Sequence, residues 1–185
     1  MTTSLEPTTT GREPDRHLVQ SLLLHTPRGL AYADERDEDR SVEGVLLNRV
    51  TAHAVSDRAA MEGLLCRDCS VPAVRTNAGV LWLLPLPTSA HRWDGWPEGT
   101  LTTEPPVCLQ HSTPPRSGIG HRAFFAAEAE IVGVHGTLHP APRLLASPVE
   151  RMLRFSDPRM PWMVATHFVR QLGRLTPADE QGEAR

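Results

Sequence analysis

Lysine is absent from this sequence of 185 residues, and all 19 of its basic residues are arginine. The absence excludes Schiff-base chemistry on lysine, attachment of pyridoxal phosphate, and the lysine-dependent phosphate sites of P-loop proteins and protein kinases. Arginine codons are GC-rich and lysine codons are not, so the bias indicates a GC-rich genome. The net charge of −3 provides no overall positive field that would attract nucleic acid or anionic lipid.

Long apolar runs are also absent. No stretch approaches the roughly 20 apolar residues that a membrane-spanning helix needs. Residues 1–10 have no basic region followed by an apolar one, so we expect no secretory signal and a cytoplasmic location, where disulfides rarely form. Aromatic residues make up only 5% of the chain, against 17 prolines, which indicates a modest core with many loops.

The sequence has only three cysteines, and they lie in two short pairs typical of metal ligands. Cys66 and Cys69 form a C-x2-C pair, and Cys108 and His111 form a C-x2-H pair after 38 intervening residues. Three thiolates and an imidazole are a set that Zn²⁺ binds tetrahedrally. Four protein ligands fill that coordination sphere, so the spacing predicts a structural Zn²⁺ rather than a catalytic one.

Two other interpretations of the cysteines stay open at this point. Thioredoxin-like redox motifs place C-x2-C after a strand and at the start of a helix. Here the motif follows a helical pattern, and Val71-Pro72 prevents a helix from starting on it. The second interpretation is that the two pairs are unrelated, with cysteines in one turn and a Cys and a His in a separate loop.

The apolar pattern predicts an α+β fold, with a small antiparallel sheet and three or four helices around a treble-clef or zinc-ribbon-like metal site. We expect strands at residues 29–33, 45–50, 80–84 and 130–138, and helices at residues 15–23, 58–65, 148–154 and 156–175. The order Ser147-Pro148-Val149-Glu150 is that of a capping box, which predicts the third helix. The last helix has an apolar stripe at Met160, Val164, Phe168, Leu172 and Leu175.

The length suits one domain with short tails. Residues 1–14 are rich in Thr, Pro and Gly, which predicts a disordered segment. We expect a single zinc-stabilised domain at residues 15–176 and a polar tail at residues 177–185.

Trp93 and Trp96 lie close together in a segment typical of a loop. Tryptophans on a loop can form a ligand-binding or partner-binding surface. The alternative is that they fold back over the small core, since large aromatic residues are usually mostly buried.

The remaining histidines provide weaker candidates. His135 and His139 are four residues apart in a predicted strand, so their Cα atoms are ~13 Å apart, too far to share one metal ion. His121, beside Arg122, is a candidate acid or base, but no nucleophile is paired with it. His167 is interpreted as a histidine at the edge of the core.

Evidence for nucleic-acid binding is sparse. Five arginines lie near the cysteine pairs in the sequence: Arg67, Arg75, Arg92, Arg116 and Arg122. However, the chain is net acidic and no basic stripe alternates with aromatic residues. The acidic run at residues 34–40 is interpreted as a solvated loop rather than a cation site, because it lacks the ligand spacing of a calcium loop.

Several motifs resemble those of a group of uncharacterised actinobacterial (Streptomyces-type) small proteins. They are Glu62-Gly63-Leu64-Leu65-Cys66-Arg67-Asp68-Cys69, Gly79-Val80-Leu81-Trp82-Leu83-Leu84, Trp93-Asp94-Gly95-Trp96-Pro97-Glu98-Gly99 and Pro105-Pro106-Val107-Cys108. The group is also expected to have a closing segment like Val134-His135-Gly136-Thr137-Leu138. The resemblance covers roughly residues 30–175 and implies two C-x2-C pairs around a hairpin. This chain departs from it at His111, where a cysteine would be usual. The group implies a zinc site and no activity.

These observations favour a zinc-stabilised, non-enzymatic binding or regulatory module with a protein or nucleic-acid partner and no membrane attachment. A homodimer is compatible with them. The alternative is an enzyme that modifies a small molecule, with a pocket near Trp93 and Trp96 and with His121 or His135 transferring protons.

Overall fold

The computed structural model describes residues 22–88, 93–112, 120–140 and 146–182, and strands dominate these four ranges. The strands are β1 (Leu23–Thr26), β2 (Gly29–Tyr32), β3 (Leu46–Leu47), β4 (Arg75–Thr76), β5 (Gly79–Pro85), β6 (Leu101–Thr102), β7 (His121–Leu138), β8 (Val149–Arg154) and β9 (Met163–Pro177). The α-helix of the described residues, α1, spans Ala52–Gly63. Short 3-10 turns lie at Asp37–Asp39, Leu109–His111, Met160–Trp162 and Asp179–Gly182.

Seven of these strands form a mixed sheet around the long strand β7. The main order is β3-β9-β7-β5-β4, with β6 paired to β9 and β8 paired to β7. The contact of β3 with β9 is parallel, and the other pairings are antiparallel. On β7, residues 121–126 pair with β5 and residues 133–138 pair with β8, so this strand joins both ends of the sheet. Strands β1 and β2 form a separate hairpin.

Each face of the sheet carries an apolar cluster. The larger cluster includes Met61 from α1 together with Trp82 and Phe124 from the sheet. The smaller cluster, on the opposite face of β5 and β7, is formed by Leu81, Leu83, Val107 and Phe125. Because successive residues of a strand point to opposite faces, β5 contributes to both clusters and is buried along almost its whole length.

Two buried arginines fasten α1 to its neighbours. Arg58 donates to the Asn48 carbonyl at 2.8 Å and to the Thr166 carbonyl at 3.3 Å. Arg170 of β9 donates to the Met61 carbonyl through Nε at 3.0 Å and through Nη2 at 2.8 Å. Burial lowers the pKa of both guanidinium groups, but arginine stays charged in proteins. These contacts fix the helix that leads into the first cysteine pair.

The predicted helix at residues 156–175 is wrong, because a 3-10 turn and strand β9 occupy this part of the chain. The apolar stripe used for the prediction repeats every four residues from Met160 to Leu172. Four is an even number, so a repeat of this kind fits one face of a regular strand as well as one face of a helix.

The residues between those of the stripe decide between a helix and a strand. Ala165 and Val169, which lie between residues of the stripe, are buried as well, as expected for a strand covered on both sides. A shift of register next to Ala165 places this residue in the same apolar cluster as Phe168 and Leu172.

The predicted helix at residues 148–154 is also wrong, because Val149–Arg154 forms β8. A capping box is a local signal, and pairing with residues 133–138 of β7 outweighs it. The predicted α+β fold with three or four helices around a treble-clef or zinc-ribbon-like site is therefore corrected. The described residues form a large mixed sheet with one α-helix.

Other predicted elements are confirmed. The strands expected at residues 29–33, 80–84 and 130–138 correspond to β2, β5 and the second half of β7. The strand expected at residues 45–50 is reduced to Leu46–Leu47. The helix expected at residues 58–65 is present as α1, although it begins six residues earlier.

Some expectations fall on other parts of the chain. The expected helix at residues 15–23 lies mostly outside the described residues, and Leu23 begins β1. Residues 1–14 also lie outside them, so the expected domain bounds stay a prediction. Among the residues that the structure describes, no helix is long and apolar enough to cross a membrane.

Candidate metal centre

The first pair of candidate ligands lies on a tight turn directly after α1. Leu64 caps the C-terminal end of this helix and has a left-handed backbone with φ of 51°. The Cys66 N–H donates to the Val71 carbonyl at 2.7 Å, and the Ser70 N–H donates to the Cys66 carbonyl at 2.8 Å. Ser70 is also left-handed, with φ of 56°, a conformation that glycine adopts more easily. The turn buries Cys66 and leaves Cys69 exposed.

The second pair lies on the 3-10 turn at Leu109–His111. Cys108 directly precedes this turn, and the His111 N–H donates to the Cys108 carbonyl at 3.1 Å. Cys108 is buried, whereas His111 is half-buried. A short turn of this kind brings residues three positions apart to the same side, which is the geometry that a C-x2-H pair needs.

Backbone hydrogen bonds anchor both turns to the sheet and to each other. The Val107 N–H donates to the Leu81 carbonyl of β5 at 3.1 Å, and the Val74 N–H donates to the Val107 carbonyl at 3.1 Å. The Arg67 N–H donates to the Pro106 carbonyl at 3.1 Å and so joins the first turn to the second. Since Val107 belongs to the smaller apolar cluster, the sheet itself positions Cys108.

The four candidate ligand atoms converge on one point. The sulfurs of Cys69 and Cys108 are 3.7 Å apart, and His111 Nδ1 lies 3.2 Å from the Cys108 sulfur and 3.4 Å from the Cys66 sulfur. All four atoms lie within 4.8 Å of one another. In a tetrahedral zinc site, bonds of about 2.3 Å to sulfur and about 2.0 Å to nitrogen separate neighbouring ligand atoms by about 3.5–3.8 Å. These residues, the Cys3His cluster, lie close enough to hold a metal ion.

The same geometry disfavours a disulfide or a redox pair. All three cysteines are free, and the 3.7 Å between the sulfurs of Cys69 and Cys108 far exceeds the roughly 2.05 Å of an S–S bond. The C-x2-C turn follows α1 and leads to Pro72 rather than into a helix. A thioredoxin-like motif opens a helix, so this context differs from that of a redox centre.

Hydrogen-bond donors surround the buried sulfur of Cys66. Burial alone would raise the pKa of this thiol, but backbone N–H groups of Cys108, Asp68 and Cys69 and the His111 ring lower it to about 6. Backbone donors directed at a sulfur stabilise the thiolate, which is the form that binds a metal ion.

The neighbouring groups respond to the negative charge that gathers in the cluster. The backbone N–H of Val71 favours the Cys69 thiolate, yet partial desolvation and the Cys66 and Cys108 sulfurs together raise the pKa of Cys69. The same two sulfurs raise the pKa of His111 because they favour its protonated ring. Several thiolates in one small space therefore need a compensating positive charge, which a metal ion bound by the cluster would supply.

The tryptophans of the predicted loop line a groove of about 320 Å³. Trp96 packs edge-on against Phe124 of the core at 5.5 Å between ring centroids, whereas Trp93 is 45% exposed. One tryptophan thus covers the core and the other faces solvent. No histidine is among the described residues that line the groove, so the enzyme alternative with His121 or His135 in this pocket gains no support.

The other predicted candidates lie in separate places. His135 is on β7 with its ring 6.0 Å from that of His167, and His139 follows the end of β7. The acidic run is not simply solvated, because Asp39 is buried and binds Arg49 at 2.6 Å. Asp34 also pairs with Arg49, so an arginine side chain rather than a metal ion neutralises these carboxylates.

The structure forms one polar cluster beside the cysteine turns that the sequence patterns do not predict. Asp57 Oδ2 lies 3.2 Å from His53 Nε2 and 3.4 Å from His167 Nε2. His53 and Asp57 are four residues apart on α1, which is a visible signal for a shared helix face. His167 comes from β9, so only the fold brings it to the other two. These three residues are termed the Asp57 cluster below.

Comparison with known proteins adds no family to this description. No protein-family model matches the chain, and neither a curated protein nor a solved structure is significantly similar to it. The resemblance to the actinobacterial group therefore stays a prediction.

Proposed function

We propose that the protein is a zinc-stabilised binding or regulatory module, in which the Cys3His cluster holds one structural Zn²⁺. The convergence of three sulfurs and one ring nitrogen within 4.8 Å carries this proposal. Thiolate-rich tetrahedral sites select zinc among the common divalent metals, and four protein ligands leave no position open for a substrate. The metal then joins the end of α1 to the segment that follows β6.

The energetic role of the ion follows from where its ligands lie. It cross-links two turns separated by 38 residues, and the ligands come together only in the folded chain. Binding energy at such a site is folding energy, because the unfolded chain has no preformed site. A structural ion is therefore expected to raise the stability of the whole sheet rather than of one loop.

The described surface supports a protein partner over a nucleic acid. Leu86, Trp93, Leu101 and Met152 line the groove described above, and each is between 36% and 45% exposed. Exposed apolar residues that share one groove are typical of a protein-binding surface. Near the metal cluster, the charge of Arg67 is already taken by Glu104 and Asp68.

The metal half of the proposal is tested by measuring zinc per chain on protein purified without an affinity tag. We expect one tightly held zinc in the wild type, lost in Cys108→Ser and in His111→Ala together with most of the resistance to urea. His25→Ala, which removes an exposed histidine on β1, serves as the matched control and should keep both. Wild-type protein without zinc, or a Cys108→Ser variant that keeps it tightly, would overturn the proposal.

The partner half is tested separately. We expect fluorescence anisotropy with labelled random-sequence DNA and RNA to show no saturable binding below about 100 μM at physiological salt. Light scattering at rising protein concentration tests a second copy as the partner. If the chain dimerises, Trp93→Ser should weaken the dimer. Tight, salt-dependent oligonucleotide binding would replace the protein partner with a nucleic acid.

A further inference from the structure

Strand β8 lies at an edge of the mixed sheet. It pairs with β7 on one side, and none of the strands in the described part of the chain pairs with its other side. Five of its six residues are exposed, and only Leu153 is buried. An edge strand presents backbone N–H and C=O groups that a strand of another chain can bind. The direction of these groups along β8 therefore decides what the edge can bind.

A backbone hydrogen bond at the end of β8 shows which of its residues face outward. The Phe155 N–H donates to the Val132 carbonyl at 3.1 Å, in the same register as the pairing of β8 with β7. In an antiparallel pair, only every second residue exchanges hydrogen bonds with the neighbouring strand. Counted back from Phe155, these are the odd-numbered residues of β8. Glu150, Met152 and Arg154 therefore direct their backbone N–H and C=O groups to the open edge.

The side chains of these three residues lie on one face of the sheet and are acidic, apolar and basic in turn. Glu150 accepts a hydrogen bond from the Thr137 hydroxyl at 2.6 Å, and Arg154 donates to the Gln171 side-chain oxygen at 3.2 Å. Both of these partners are neutral, so the two contacts leave both charges unbalanced. Met152 lies between the charged residues and is 41% exposed.

This order of side chains is complementary to a second copy of itself. A two-fold axis at Met152 places Glu150 of each copy opposite Arg154 of the other. All three residues then form hydrogen-bonded pairs, because each of them faces outward in both copies. The Arg154 carbonyl also accepts from the Asp157 N–H at 2.9 Å, but a carbonyl oxygen has a second lone pair for the other copy.

Other positions of the axis fit less well. An axis at Arg151 places two arginines opposite each other, and like charges in that position are unfavourable. An axis at Glu150 does the same with two carboxylates. An axis at Leu153 moves Glu150 away from Arg154. The charges on this edge thus favour one self-pairing over its neighbours, which is how natural sheets limit uncontrolled pairing of edge strands.

We propose that β8 pairs with β8 of a second copy in the antiparallel register centred on Met152, so that two sheets join into one across a two-fold axis. Met152 also lines the groove that contains Trp93, so the grooves of both copies lie on the same face of the joined sheet. An apolar centre flanked by charged pairs is a common arrangement of protein interfaces. This inference rests on the protein partner proposed above, which it identifies, and does not depend on the zinc.

The test is sedimentation equilibrium of tag-free, full-length protein loaded with zinc, at rising protein concentration. We expect a monomer–dimer equilibrium with a Kd of about 100 μM or below. Glu150→Arg and Arg154→Glu should each weaken the dimer at least about 10-fold, because each replaces two ion pairs with two like-charge pairs. Glu43→Arg changes the charge equally on an exposed residue in the loop before β3, so this control should dimerise as the wild type does.

A mixture of the two charge variants provides the most specific readout. Chains with Glu150→Arg repel their own copies, as do chains with Arg154→Glu, but each variant is complementary to the other. The mixture should therefore form a heterodimer with about the affinity of the wild type. A variant that merely folds poorly would not regain association in this way.

The backbone pairing is tested independently of charge. Because the Met152 N–H faces outward, Met152→Pro removes a bond to the second copy and none to β7. This variant should keep its zinc and its circular dichroism spectrum but stay monomeric. In the wild type, amide hydrogen exchange at Glu150 and Met152 should slow as the protein concentration rises, whereas Arg151 and Leu153 should be protected at every concentration.

Two results would overturn the proposal. A wild type that is still monomeric at several times the expected Kd would leave this edge to a strand of a different protein. A dimer that persists unchanged in both charge variants and in Met152→Pro would use another surface. Zinc content measured on the same samples separates this outcome from failure of the metal site, because a monomer that carries zinc leaves the Cys3His proposal intact.

Discussion

Arg170 should be among the most important single side chains for the stability of this fold, and Arg170→Met is the substitution that tests this. Arg170 is 8% exposed, and its guanidinium donates to the carbonyls of Met61, Glu62 and Ala129. Met61 and Glu62 lie in the last turn of α1, where carbonyls have no partner within the helix and the helix dipole is negative. One side chain thus caps α1 and joins it to two strands.

The expected magnitude follows from the groups that lose their partner. Methionine fills a similar volume, so the change removes the charge and the donors rather than packing. A buried carbonyl without a donor costs about 1–3 kcal/mol, and water reaches only some of the three. The desolvation of the guanidinium offsets part of the loss. We expect Arg170→Met to lower the free energy of unfolding by about 3–5 kcal/mol.

The assay is urea unfolding at neutral pH, followed by tryptophan fluorescence, with the same free zinc concentration for every variant because the metal stabilises the folded state. Arg174→Met is the matched control, since Arg174 is on the same strand with its side chain 70% exposed in a single ion pair with Glu128. That control should change stability by less than about 1 kcal/mol. A loss below about 1 kcal/mol in Arg170→Met would refute the capping role.

Three further predictions concern backbone conformation and pH. Gly79→Ala should cost at least ~2 kcal/mol of unfolding free energy, because φ is +121° and an added Cβ would collide with the Ala126 carbonyl. Ser70→Gly should stabilise the chain by about 0.5–1 kcal/mol in thermal unfolding, because it relieves a left-handed serine in the first cysteine turn; a lower melting temperature would contradict this. The hydrogen bonds from Arg159 lower the pKa of Asp157 from 3.8 to about 2, so this carboxylate adds stability above pH 3.8 that is lost as the pH falls toward 2. Acid unfolding of Asp157→Asn should therefore be less steep in this range, and an unchanged profile would rule the contribution out.

The sequence could predict an element where the spacing of its apolar residues fits either a strand or a helix but not both. The apolar run of β5 is too short for a helix and is bounded by Gly79 and Pro85, and it forms the expected strand. The stripe from Met160 to Leu172 fits both a strand and a helix. The intervening Ala165 and Val169 are buried only in the folded sheet, and their burial is what favours the strand. Long-range pairing with β7 likewise decides β8 against its capping box.

The same distinction applies to the two clusters. The Cys3His ligands are visible in the sequence because each pair is local and cysteine is rare in this chain, so their convergence could be expected. In the Asp57 cluster, His53 and Asp57 share a local helix face, but His167 lies on β9 and reaches them only through the packing of α1 on that strand. Arg170 shows the same limit, since it lies on β9 and caps α1 only because the helix packs on that strand.

The central claim is that Cys66, Cys69, Cys108 and His111 bind one structural zinc. X-ray absorption at the zinc edge tests it most directly, on protein that carries a single zinc per chain. The account predicts a first shell of three sulfurs at about 2.3 Å and one nitrogen at about 2.0 Å in the wild type. A shell of nitrogen and oxygen atoms alone, with the cysteines still free, would contradict it.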